Sequence, residues 1–195
     1  MKSLLSLSII LLAGTGSALS DNILISPASQ TVSVGQTFTL DINVDQIPDL
    51  FDYEFSLSFN PAVLAAQSVT EGALFANTGD SFFSPGSINN TAGTIPTTAD
   101  TLEGKVPGVS GPGTLAMVQF TAIAAGTTSI DFSPPHDLIL QDSKGNTLAV
   151  TAHSADITAG TSIPEPATLS LLALALMFGF CCRFRSQPFE TLNRR

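Results

Sequence analysis

The sequence predicts an all-β sandwich, flanked by an N-terminal signal peptide and one C-terminal transmembrane helix. Three observations carry that expectation. Apolar and polar residues alternate over short stretches in the middle of the chain. Gly, Pro, Asn and Ser punctuate those stretches, and both ends carry uncharged apolar runs unlike anything between them. The length, 195 residues, suggests one domain of ordinary size, since domains usually run to about 100–200 residues.

In chain order, residues 1–20 read as the signal peptide. Lys2 supplies a short basic region, and Leu4 to Ala13 form an apolar run too short to span a bilayer. Small residues follow at Gly14, Gly16, Ser17, Ala18 and Ser20. Basic, then apolar, then small is the order of a secretory signal. Cleavage after Ser20 places Ala18 at the third position back, and cleavage after Ala18 is the alternative.

Residues 21–160 read as the sandwich. Thr37 to Asp45 alternates strictly, with Phe38, Leu40, Ile42 and Val44 on one face and Thr39, Asp41 and Asn43 on the other. That period of two marks a strand with one buried face. Asp52 to Phe59 repeats it, with Tyr53, Phe55, Leu57 and Phe59 inward, before Asn60-Pro61 turns the chain. Leu115 to Ala122 is a third strand, with Val118 and Phe120 inward and an apolar density that suggests burial on both sides. Shorter strands are expected at 23–25, 30–34, 65–69, 93–98, 129–132, 138–140, 147–151 and 155–158. The stretch from Asn77 to Pro112, rich in Ser, Thr, Gly, Asn and Pro, reads as long loops around one or two weak strands. About 140 residues can bury roughly two thirds of their unfolded surface, so the core alone can hold the domain.

The order of these features resembles the cohesin family, whose members form a nine-stranded jelly-roll sandwich. The residues that carry the resemblance are Val34-Gly35-Gln36-Thr37 and Phe55-Ser56-Leu57-Ser58-Phe59-Asn60-Pro61-Ala62-Val63-Leu64. In the second block Phe59 and Asn60 stand where the family usually has Tyr and Asp. Gly113-Thr114-Leu115, Phe120-Thr121-Ala122, Gly126-Thr127-Thr128 and Ile130-Asp131-Phe132 are similar to its later strands, and Leu138 to Leu148 to the turn before its last ones.

Residues 161–195 end the chain differently. Ala167 to Cys182 is free of charge and of strong breakers. A span needs about 20 apolar residues, with ~17 as a lower limit, so this run suffices with Ile163 and Phe184 at its margins. A run of about 10–14 would have indicated a buried core helix instead. Arg183 and Arg185 follow at once and begin the basic tail, 183–195. Cytoplasmic flanks collect Lys and Arg, which puts the tail inside and the sandwich outside. Ile163-Pro164-Glu165-Pro166 precedes the span. Pro164, Glu165 and Pro166, then an apolar helix, then arginines, resemble the PEP-CTERM sorting signal of Gram-negative bacteria. The resemblance implies recognition by an exosortase, a membrane enzyme that removes helix and tail, leaving the domain at the cell surface or in the extracellular matrix. Two prolines fix φ and withhold backbone donors, which suits an extended segment in an enzyme's groove.

Charge narrows the partners. The domain carries only Lys105 and Lys144 as cations, while all but Glu165 and Glu190 of the 16 acids lie within it. Such a balance opposes binding to nucleic acid or anionic lipid. Cys181 and Cys182 both sit at the inner end of the span, so no disulfide framework is expected.

A catalytic reading finds little. His136 and His153 have no neighbours at ligand spacing, and the domain has no cysteine nucleophile. The acids fall mostly on polar strand faces. Asn43, Asp45, Asp49 and Asp52 cluster as a weak calcium site would, but the D-x-[DN]-x-[DN]-G loop is absent, so no metal and no cofactor are expected. That absence also means the chain carries no dockerin of its own. Asn89-Asn90-Thr91 matches the N-glycosylation sequon, but in a loop of this composition chance is the better reading. Recognition remains. The cohesin resemblance implies a dockerin-bearing partner bound through one sandwich face. A carbohydrate-binding or exopolysaccharide-associated module, and a structural matrix component, are the alternatives. Sugar recognition usually uses exposed Trp or Tyr. This chain has no Trp and one Tyr, which alternation places inward, leaving loop Phe82 and Phe83 as the aromatic contacts.

Overall fold

The computed structural model describes residues 21–133 and 138–161. The signal peptide, the sorting motif Pro164, Glu165 and Pro166, the 167–182 helix, Arg183, Arg185 and His136 lie outside the described residues. Among the described residues no helix is long and apolar enough to cross a membrane.

In the described residues eleven strands and one short helix follow each other as β1 Asp21–Ser26, β2 Ser29–Ser33, β3 Thr37–Ser58, β4 Leu64–Glu71, α1 Ala73–Ala76, β5 Ser81–Ser84, β6 Thr94–Leu102, β7 Val109–Ala122, β8 Gly126–Phe132, β9 Leu138–Asp142, β10 Val150–His153 and β11 Ala155–Gly160. They make the expected all-β sandwich. Its hinge is β3. The first half of β3 lies between β1 and β7, and β7 carries β4 on its other side. The second half lies between β6 and β9, with β5 beyond β6. β8 continues that side of β3 and passes on to β11, which pairs in parallel with β2. The chain leaves β1 for β2 through a cis Ser26-Pro27 peptide.

Two strands expected from alternation, Thr37 to Asp45 and Asp52 to Phe59, are therefore halves of one. The residues between, Asp49 apart, continue the strand because Ile47 and Leu50 are buried and still pair, across register shifts, with Gly111 and Val109. Pro48 has no N–H to give a ladder and sits in that irregular stretch, where proline is tolerated. Asp49 takes a left-handed conformation, φ 52°. Its amide bonds the Ser110 hydroxyl, and its carboxylate accepts from the Gly108 amide and the Ser143 hydroxyl. These bonds hold the chain as it passes from one layer to the other.

The core is continuous. Leu40, Ile42, Tyr53, Phe55, Leu57, Val118, Phe120, Ile130 and Ile157 are all fully enclosed. Phe120 stacks on Phe38 and meets the Phe59 ring edge-on, with centroids 5.3 Å apart. Such ring pairs add about 0.5–1.5 kcal/mol beyond the area they bury.

Three expectations change. The region from Asn77 to Pro112 is not mainly loop, because it holds β5, all of β6 and the start of β7. Its threonines and serines alternate with too few apolar residues for the period to show. β7 is not buried on both sides: Leu115 and Ala116 are enclosed, but beyond them Met117 and Gln119 face outward. The strand expected at 147–151 is β10, starting only at Val150; Thr147 makes a single bridge to Gln141.

Candidate functional site

Two outer sheet faces are available for recognition, and they differ. On the face formed by β1, the first half of β3, β7 and β4, the outward residues are mostly small and polar. Thr37 and Thr121 share a hydroxyl–hydroxyl bond of 3.0 Å, and Thr114 donates to Asn43 at 2.7 Å. Met117 is its large apolar side chain, 37% exposed. Hydroxyls bonded to one another leave few groups ready for a partner.

The face formed by β5, β6, the second half of β3 and β9 is built otherwise. Register sets Phe82, Thr101, Asp52 and Gln141 in one row across the four strands. Ser84, Ala99, Glu54 and Ile139 form the next. Phe82 is 65% exposed and Ile139 37%. Partial burial raises the Asp52 carboxyl above its ordinary value. No Lys or Arg occurs in any of these four strands, so the face offers apolar side chains and carboxylates without internal ion pairs. Aromatic anchors of this kind dominate protein interfaces.

A local irregularity shapes the same face. The β3–β6 register shifts between Phe55 and Leu57. Opposite that shift Thr97 has φ 55°, an outlier for a β-branched residue. Its amide bonds the inward-turned Ser56 hydroxyl at 3.0 Å, which compensates part of the strain.

Below the face lies polar machinery that sequence patterning did not reveal. Tyr53 is inward as expected, stacked 6.0 Å from Phe55 and tilted 5.4 Å from Phe75. Its hydroxyl donates to the Leu115 carbonyl at 2.6 Å, and burial pushes its ionisation far up. Beside it Asp100, 1% exposed, is the buried acid among the described residues. The expectation that acids lie on solvated faces fails at this residue. TIPTTADTL gives no sign of which side Asp100 takes, because Ala99 and Thr101 beside it are themselves weakly apolar or polar.

The other singled-out residues separate. Asn43 holds Thr114, Asp45 accepts from Asn22, and Asp49 holds Gly108 and Ser143. The Ser143 hydroxyl bond, then the Gly108 amide, keep the Asp49 carboxyl below its ordinary value against some desolvation. Among the described residues no three His, Cys, Asp or Glu gather as metal ligands. His153 is exposed and meets Asn22 at 3.2 Å. Phe82 and Phe83 lie on strand β5, not on a loop; Phe82 points out and Phe83 packs on the core. In the sequon, Asn89 caps a turn through the Thr91 and Ala92 amides, and Asn90 makes a two-way bond with the Ala66 backbone. Both asparagines therefore have structural work.

Comparison with known proteins agrees with the architecture. The cohesin domain family model matches residues 24–159, and the PEP-CTERM protein-sorting motif model matches 162–186. A type II cohesin domain from the cellulosome of Acetivibrio cellulolyticus is 18% identical, with a TM-score of 0.62, covering 71% of this chain and 95% of its own. A non-cellulosomal cohesin from the archaeon Archaeoglobus fulgidus is 16% identical, with a TM-score of 0.59 and coverage of 74% and 94%. A type I cohesin–dockerin complex from Clostridium thermocellum is 10% identical, at 0.58, covering 73% and 100%. At these identities the likeness is one of fold. No curated protein matches the chain. Matched over most of its length, the chain belongs to the cohesin family, as a cohesin domain followed by a PEP-CTERM sorting motif.

Proposed function

We propose that this protein is an exported, non-catalytic binding module that takes a dockerin-type partner on its β5–β6–β3–β9 face. The observation that carries the reading is the pairing of exposed Phe82 and Ile139 with Asp52 and Glu54 on a face free of cations. An aromatic anchor supplies buried area, and unpaired carboxylates select a partner with basic groups around an apolar centre. Two of the similar structures are cohesin–dockerin complexes, which supports the same class of partner. The domain is read as 21–160, and the last strand ends at Gly160. Residues 1–20 then form the removed signal, and 161–195 the sorting segment of a Gram-negative inner-membrane precursor destined for the surface or matrix. Within that segment Pro164, Glu165 and Pro166 are the residues an exosortase would recognise, and Arg183 and Arg185 set the topology.

Calorimetric titration of the protein with purified dockerin modules from the same organism tests the reading. Saturable one-to-one binding is expected, weakening as salt is raised because the carboxylates take part. Absence of heat with every dockerin, together with retardation in polysaccharide affinity gels, would transfer the role to sugar binding through Phe82.

A further inference from the structure

Asp100 stands where a carboxylate is costly. Register places it opposite Tyr53 on one side and Phe83 on the other, inside the sandwich. Both of its carboxylate oxygens are buried and neither receives a well-aligned hydrogen bond among the described residues; the Thr101 amide beside it offsets the cost only in part. The nearby Tyr53 hydroxyl is already engaged, donating its hydrogen bond to the Leu115 carbonyl. β3, β4, β5, β6 and β7 contain no Lys, Arg or His, so no cation reaches it from the strands packed around it. What faces it is another acid, Glu71, the last residue of β4 in the opposite layer. Glu71 in turn accepts from the Ser81 hydroxyl at 2.7 Å, and Ser81 is the first residue of β5. Two ionised carboxylates are both acceptors and cannot bond, whereas one proton between them supplies the missing donor.

We propose that Asp100 and Glu71 share a single proton, forming an acid–carboxylate clasp that ties the two layers together and holds the start of β5 through Ser81. Burial first, then the charge of Glu71, pushes the Asp100 carboxyl up to about 7, with Asp52 adding to the rise and the Thr101 amide opposing it. The remaining titratable neighbour, Tyr53, stays protonated throughout this range. The sign follows. Between the ordinary value of 3.8 and about 7 the unfolded chain has released its proton while the folded one keeps it. Stability therefore falls as pH rises across that window. Above it the folded domain loses the proton too, and the buried Asp100 charge then faces the half-buried Glu71 at the root of β5. β5 carries Phe82, so the clasp would tune partner binding; that consequence rests on the reading of the face given above. The clasp itself is testable on the free chain, and so can fail separately.

The test compares the full chain with Asp100→Asn, whose amide offers Glu71 a donor at every pH. From pH 5 to pH 8 the wild-type melting temperature is expected to fall by about 5 °C or more. Asp100→Asn should stay nearly level and exceed wild type at pH 8. Hydrogen exchange, corrected for its intrinsic pH dependence, should show Ser81 to Ser84 losing protection above pH 7 in wild type only. Equal slopes, or equal protection, in both proteins would overturn the clasp. Should Asp100→Asn fail to fold, carboxyl carbon NMR on wild type decides: a titration midpoint near 7 supports the shared proton, and one below 5 rejects it. Calcium that restored the pH 5 melting temperature at pH 8 would make the bridging species a metal and would also overturn the assignment.

Discussion

The Leu115 carbonyl accepts two hydrogen bonds, from the Tyr53 hydroxyl and from the Gly72 amide. The two donors differ in how replaceable they are. Tyr53→Phe removes a hydroxyl but leaves the carbonyl bonded to Gly72, so the cost is an ordinary hydrogen bond, about 0.5–1.5 kcal/mol. Gly72 has an unremarkable backbone, φ −88°, and its requirement is space. A Cβ there would run into the Thr114 carbonyl and the backbone of Leu115. Backbone cannot give way as a flexible side chain can, so Gly72→Ala should cost about 2–4 kcal/mol by overpacking. Urea unfolding of the two variants checks the order. A Gly72→Ala midpoint at or above that of Tyr53→Phe would show that β7 can shift away. Sequence reasoning reached Tyr53 through its alternation with Phe55 and Leu57. It could not reach Gly72, because close approach between a turn and a strand in another part of the chain leaves no local pattern.

At the scale of elements, legibility followed the contrast between the two faces of a strand. β3 was readable because Phe38, Leu40, Ile42 and Val44 alternate with Thr, Asp and Asn. Its continuity was not, since Gln46, Pro48 and Asp49 look like a turn until Ile47 and Leu50 are seen buried. β5 and β6 were obscured for the opposite reason: SFFS has two apolar residues side by side, and TIPTTADTL buries Thr98 and Asp100. The proposed binding face is obscured with them. Because Phe82 projects from β5 into solvent, removing its ring should leave the fold intact. Phe82→Ala is expected to change stability by less than about 0.5 kcal/mol while weakening the dockerin-type partner at least about tenfold. Met117→Ala, on the other face, should leave affinity unchanged. If Met117→Ala weakened binding and Phe82→Ala did not, the partner would belong on the threonine-rich face instead.

For the whole molecule, the question is how a folded binding domain and its sorting segment divide the work. The sandwich closes with β11, whose Ala155, Ile157 and Ala159 are buried between β8 and β2. The motif begins at Pro164, only a few residues beyond Gly160. The tripeptide therefore follows the last strand in sequence and lies beyond the bounds of the described domain. Deleting Pro164 to Pro166 should therefore leave the melting behaviour of the domain unchanged and alter only its destination. The apolar run from Ala167 to Cys182 would remain attached, with Arg183 and Arg185 holding the tail on the cytoplasmic side. Cell fractionation should then find an uncut chain in the inner membrane and none at the surface. Normal surface arrival of the deleted chain would remove exosortase handling and leave a plain single-span anchor. An unfolded domain would instead mean that the connection after β11 contributes to the sandwich.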